Sequence, residues 1–307
     1  MRGTRVLSAS FLACLLAAAC SDVPAADRSA LTDDAVTVAS FNFPESVLLA
    51  EIYAQAMESA GYRVKRELGL GTRELVIPAL AGGLVEFVPE YTGSGLDFLA
   101  GTEAATSDRD FTYRALAQHL QPLRVVVLDA ARAQDQNGFA VTAETADRFG
   151  LTTLSDLAAV SSQLTFGGPP ECVDRPRCLP GLDSRYGIAF EAVVELDSGG
   201  PLTLSALVQG TVDVALLFTT DGAIDRNDLV LLRDDQELQP VEHVTPVIRA
   251  ETVSRLGPGI EQVVNSVSAV LTTDELRGLN AEVSLGHDPR AVAAAWLDAN
   301  GLGGVPR

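Results

Sequence analysis

Aromatic residues are scarce in this chain of 307 residues, at 6% with a single Trp, so any gathering of Phe and Tyr in loops carries information. Basic residues are few as well: 22 Lys and Arg stand against 41 Asp and Glu, for a formal charge of −19. A field of that sign repels phosphate, which argues against nucleic acid and an anionic lipid surface as direct partners. A cation, a zwitterion or a neutral solute fits better. His119, His243 and His287 are scattered without paired spacing, so no metal site is expected. The chain contains no G-x-x-x-x-G-K-[ST] loop, no G-x-S-x-G elbow and no H-E-x-x-H. Gly69-Leu70-Gly71 starts like a dinucleotide fingerprint but continues Thr72-Arg73-Glu74, without the third glycine, and reads as a turn before a helix. No cofactor is implied. The pair Asp234-Asp235 lies in a charged turn and reads as solvated. Nothing asks for an enzyme, although a triad assembled in space would leave no sequence spacing.

Long apolar runs are absent except at the start, where Arg2 and Arg5 precede a run from Val6 to Ala19. That is a secretory signal, too short for a membrane span. Ala17-Ala18-Ala19-Cys20 resembles a bacterial lipobox, with Ala17 where a Leu usually stands, so Cys20 is the expected lipid anchor. Ordinary cleavage after a small residue, leaving a soluble exported protein, is the competing reading. The protein is thus expected outside the cytoplasm, with residues 1–19 as signal and 20–35, small and acidic, as a tether. Of four cysteines, Cys14 leaves with the signal and Cys20 is the anchor, which leaves Cys172 and Cys178. A disulfide closing so short a loop would contribute about 2–2.5 kcal/mol. A metal site is the alternative, but two thiols need two more ligands.

From Val36 the chain alternates strands and helices. Val36–Ser40, Leu84–Val88, Arg124–Leu128, Gly138–Thr142, Leu164–Phe166, Val193–Leu196, Val212–Phe218, Leu229–Leu232 and Val244–Ile248 read as strands. Pro44 opens a helix that carries Val47, Leu48, Ile52 and Met57 on one side and ends near Gly61. Arg73–Leu80 reads as helix, Ser155 as the N-cap of a short helix, and residues 258–271, 273–281 and 289–300 as helices. This grammar predicts an α/β architecture with mostly parallel sheets.

Residues 79–93 (ALAGGLVEFVPEYTG) and 206–220 (ALVQGTVDVALLFTT) share one pattern. Each has a helix end, a glycine stop, a strand with an acid within it, and then an aromatic followed by Thr. Tyr91-Thr92 thereby corresponds to Phe218-Thr219. Chance between two βαβ-like units is one explanation; the other is two similar lobes, each placing an aromatic and a hydroxyl at a strand's C-terminal end, where open α/β sheets bind ligands.

Several segments, in order, resemble the solute-binding proteins of ABC importers for glycine betaine, choline, carnitine and related osmoprotectants. They are Val38-Ala39-Ser40-Phe41-Asn42-Phe43, where that family usually reads GSKNF, Gly69-Leu70-Gly71-Thr72-Arg73-Glu74, Val88-Pro89-Glu90-Tyr91-Thr92-Gly93, Pro180-Gly181-Leu182 ahead of Tyr186-Gly187, and Thr219-Thr220-Asp221-Gly222. The resemblance covers about residues 36–300. It implies a type II periplasmic-binding-protein fold, two α/β lobes joined by two crossover strands. Lobe one would comprise 36–137 and 246–307, and lobe two 138–245. It further implies a membrane permease and ATPase as partners. An exported sensor domain or enzyme on the same fold is the alternative.

The resemblance also implies an aromatic cage for a trimethylammonium head, held by cation–π attraction. Position by position, the cage falls on Tyr91, on Phe139 (with Asn137 before it) and on Phe218, both phenylalanines standing for Tyr. The fourth tyrosine is replaced by Glu242, and a frequent Lys by Phe41, next to Asn42. Arg175 aligns with an arginine that takes a ligand carboxylate, and Ser94 with a site hydroxyl. With Thr92 and Thr219 these form the expected ligand set. Each Phe could equally be core, and Arg175 could pair with a surface acid.

Overall fold

A computed structural model describes residues 34–101 and 103–304. The signal segment, Cys20 and nearly all of the expected tether lie outside the described residues. The strands, in chain order, are β1 (Ala35–Phe41), β2 (Arg63–Gly71), β3 (Phe87–Tyr91), β4 (Val125–Val127), β5 (Asn137–Thr142), β6 (Thr165–Gly168), β7 (Ala192–Glu195), β8 (Val214–Phe218), β9 (Leu229–Leu232) and β10 (Val244–Arg249). They form two five-stranded sheets, ordered β2-β1-β3-β10-β4 and β7-β6-β8-β5-β9.

Each sheet is mixed, where mostly parallel sheets were expected. In the first, β1 runs parallel to β2 and β3, while β10 runs antiparallel to β3 and β4. In the second, β6 runs parallel to β7 and β8, while β5 runs antiparallel to β8 and β9. The reason is the connection between sheets. The chain enters the second sheet through β5 and re-enters the first through β10, so both strands arrive reversed. The two connecting segments pair with each other antiparallel at Gln134 and His243. The sheets therefore share one topology, in which β3 and β8 hold the same central place. These are the two strands of the internal similarity, and they end on Tyr91 and Phe218.

Local sequence explains most elements. β1 is buried along nearly its whole length, as a central strand should be. The helix Pro44–Ser59 starts with Pro at a position where the missing N–H costs nothing, and buries Leu48, Leu49, Ile52, Tyr53 and Met57. β2, with Arg63, Lys65, Arg66 and Glu67, alternates exposed and half-buried residues because it is an edge, where charge is tolerated and discourages further pairing. The short helix expected to be capped by Ser155 starts earlier: Thr153 is its N-cap, and Asp156 closes a capping box. Helices Gly259–Val270, Thr273–Ser284 and Pro289–Ala299 pack Val264, Leu276 and Trp296 onto the core of the first sheet. The second sheet has an apolar cluster around Phe139 and Phe166 and another around Leu207 and Leu217. Cys172 and Cys178 are joined by a disulfide with Cα atoms 5.2 Å apart. No helix among the described residues is long and apolar enough to cross a membrane.

Candidate functional site

A cavity of about 920 Å³ opens between the two sheets, at the ends of β3 and β8. Its wall is drawn from the first lobe (Phe43, Glu45, Arg73, Tyr91, Ser94), the connecting segments (Asp135, Glu242), the second lobe (Asn137, Arg175, Phe218, Asp221) and the Thr273–Ser284 helix (Asn280). Of the eleven expected residues, Tyr91, Ser94, Asn137, Arg175, Phe218 and Glu242 are on this wall.

The other five are elsewhere. Phe41 is 2% exposed in the first core, beneath the Arg73 guanidinium, which lies 4.8 Å from its ring centroid. Phe43 takes the wall position instead, its ring 6.0 Å from Phe41 and 6.1 Å from Tyr91. Asn42 is exposed outside the cavity, its N–H donating to the Gly71 carbonyl. Phe139 is 1% exposed and packs on Phe166 in the second core, because it lies two residues deeper along β5 than Asn137, opposite Leu216 rather than the cleft-end Phe218. Thr92 and Thr219 use their hydroxyls to fasten each central strand to a connecting segment. Thr92 Oγ1 donates to the His243 carbonyl at 3.0 Å, and Thr219 Oγ1 accepts from the Gln136 N–H at 2.9 Å. A hydroxyl so occupied has little left for a solute.

Glu242 is cradled by the start of the helix Thr92–Ala100. The Gly93 and Ser94 N–H groups donate to Oε2 at 3.0 Å each, and Ser94 Oγ to Oε1 at 2.6 Å. The helix has no side-chain cap of its own, so Glu242 serves as one from a distant part of the chain. Gly93 is required: a Cβ there would lie 2.6 Å from the Val241 carbonyl and 3.0 Å from the Glu242 carboxyl. Burial pushes the Glu242 carboxyl up to about 7, against the pull of Ser94 and the Arg73 charge.

Two further acids were not foreseen. Glu45 is buried and accepts from the Tyr91 hydroxyl at 2.6 Å and from Asn280 Nδ2 at 2.5 Å. Asp135 accepts from Thr220 Oγ1 at 2.8 Å. Burial raises both carboxyls, and that of Asp135 is held well above its usual range, with Glu45 and Glu242 adding repulsion. In the sequence Glu45 reads as an ordinary first-turn acid and Asp135 as part of a polar loop; only the meeting of distant segments groups them. The cavity's arginines are engaged outward: Arg73 with Glu90 at 2.8 Å, Arg177 with Asp97 at 2.5 Å, and the largely exposed Arg175 with Glu171 at 3.2 Å.

Contacts bridge the cleft on both flanks. On one, Arg177 of the second lobe reaches Asp97 and the Ala105 carbonyl of the first. On the other, Arg277 and Asn280 donate to the carbonyls of Thr219 and Thr220, each at 3.0 Å. Gly222 lies so near the Ala281 backbone that any Cβ would overlap it.

Two similar α/β lobes closing on a cavity from the ends of their central strands define a solute-binding protein of the type II periplasmic kind. The chain belongs to the OpuAC family, described as the substrate binding domain of the ABC-type glycine betaine transport system, which matches residues 34–299. It is 30% identical over 268 residues to the glycine betaine-binding protein YehZ of Escherichia coli K12, covering 84% of this chain and 88% of that one. It is 27% identical to the Helicobacter pylori ergothioneine transport permease/ergothioneine binding protein EgtU, covering 96% of this chain and 52% of that longer protein. Among solved structures, a glycine betaine/carnitine/choline ABC transporter protein matches with a TM-score of 0.81 and 27% identity, over 87% of this chain and 99% of that one. The chain is thus an extracytoplasmic substrate-binding component that serves an ABC permease, and its family is one of carriers, not enzymes.

Proposed function

We propose that the cavity captures a quaternary-ammonium or related zwitterionic solute of the betaine, choline or carnitine type. The observation that carries this is the placement of Tyr91 and Phe218 at the ends of equivalent central strands, with Phe43 beside Tyr91. Lobe closure would bring π-faces onto one cation from both sides. The names of the relatives point to the same class. A division of the chain into two lobes at the connecting segments is part of this reading, supported by the strand order, with the cuts falling before Asn137 and before Val244 rather than at 137/138 and 245/246, which would split β5 and β10. So is the Cys20 lipid anchor, supported by the lipobox-like run alone; Cys20→Ser should then release the protein from membranes. The ligand is tested by calorimetric titration with choline, glycine betaine and carnitine. A desolvated cation–π contact contributes about 2 kcal/mol, so Tyr91→Ala and Phe218→Ala should each weaken binding roughly 30-fold. Unchanged affinity in both variants places the site elsewhere.

A further inference from the structure

The charges around the cavity do not balance once each is counted with its partner. Arg73, Arg175 and Arg177 line the wall, and each faces a carboxylate outside it: Glu90, Glu171 and Asp97. Of the four acids on the same wall, Asp221 accepts from the Ala223 N–H and lies in the field of Arg226, whereas Glu45, Asp135 and Glu242 are held by hydroxyl, amide and backbone donors. Among the described residues no ion pair reaches any of the three. Only the Arg73 charge, shared with Glu90, also acts on one of them, Glu242, so the wall beside Phe43, Tyr91 and Phe218 carries more acidic groups than the protein's own cations match. Burial favours the protonated forms of these carboxyls in the empty site, but a cation entering a water-poor cavity, where screening is weak, favours their ionised forms and is held by them, whereas an anion is opposed.

From this arrangement we infer that the site prefers a monocation without a carboxylate to a zwitterion, and that Glu45, Asp135 and Glu242 set the preference. This rests on the quaternary-ammonium reading above. The three acids surround the aromatic pocket from different parts of the chain. Glu45 comes from the first turn after β1, Asp135 from the outgoing connection and Glu242 from the returning one. A zwitterion would have to steer its carboxylate past them towards Arg175, which is 64% exposed and already faces Glu171. A hydroxyl-bearing monocation has no such conflict, and its hydroxyl can donate to any of the three carboxylates.

Asp135 is the residue to change, because Asn at that position keeps an oxygen to accept from Thr220 while removing the charge. Calorimetric titration at pH 8 would compare choline with glycine betaine on the wild-type protein, Asp135→Asn and Glu45→Gln, with thermal melts confirming that each variant is folded. Choline should bind the wild type roughly tenfold or more tightly than glycine betaine, and Asp135→Asn should reduce that ratio roughly tenfold, mainly by weakening choline. Glu45→Gln should act in the same direction. Glycine betaine binding more tightly than choline, or a ratio unmoved in both variants, overturns this inference and leaves the quaternary-ammonium reading standing. A folded wild type that binds neither overturns both.

Discussion

Replacing Glu242 by Gln should make the empty protein more stable at alkaline pH while weakening its hold on a cation. Gln fits the same cradle, since its Oε1 can accept from the Gly93 and Ser94 N–H groups and its amide can donate to Ser94 Oγ. The carboxyl of Glu242 lies at about 7 in the folded protein against 4.5 when exposed, because burial disfavours its charged form. Below pH 4.5 both states carry the proton and the group contributes nothing. Between 4.5 and about 7 the unfolded chain loses the proton while the folded one keeps it, so rising pH destabilises the fold. Above about 7 the penalty is complete, and at 1.36 kcal/mol per pH unit it reaches roughly 3 kcal/mol. For a protein of this size that is a Tm gain of roughly 6–12 °C for Glu242→Gln at pH 8, shrinking towards zero near pH 4.5. Calorimetric melts of ligand-free wild type and variant from pH 4.5 to 8.5 measure it. A difference that does not change with pH would refute the reasoning, because only an ionising group produces that slope.

The ion pair between Arg73 and Glu90 is largely buried, with side chains 24% and 1% exposed, so Arg73→Met should destabilise by about 3–5 kcal/mol. Adding Glu90→Gln should recover much of that loss; a single variant melting within about 1 °C of wild type contradicts it. Gly222→Val should wedge the second lobe off Ala281, leaving thermal stability nearly unchanged but weakening the ligand and enlarging the ligand-free radius in X-ray scattering. A variant as compact and as tight-binding as wild type would show that this flank does not govern closure.

Much of the architecture follows from local rules. Pro44 and the apolar spacing after it suffice to place the first long helix, and runs such as Val36-Thr37-Val38 and Val244-Thr245-Pro246-Val247 can be read as buried strands. The α/β class and the membership of a betaine-type carrier family were legible from these elements and from motifs such as Val88-Pro89-Glu90-Tyr91-Thr92-Gly93. The equivalence of Tyr91 and Phe218 was also visible, as a pattern repeated between two segments. β2 was not read as a strand, because an edge strand's charges hide its period. The sheets were read as mostly parallel because alternation of strand and helix does not show that β5 and β10 enter reversed.

Sequence by itself thus determined the elements, the family and those site residues that sit at a strand's end or a motif's heart. Tertiary structure alone decided which neighbours in sequence face the cleft. Phe43 lines the cavity and Phe41 does not, since side chains two residues apart diverge where β1 ends and the helix begins. Thr92 and Thr219 became fasteners of the connecting segments because those segments run beside them. Glu45, Asp135 and Glu242 form one acidic wall only because two connections cross between the lobes, and no local spacing encodes a meeting of residues separated along the chain. Hydrophobic and hydrogen-bonding periodicity acts over a few residues, whereas the electrostatics of a binding cavity sums over whatever the fold brings near.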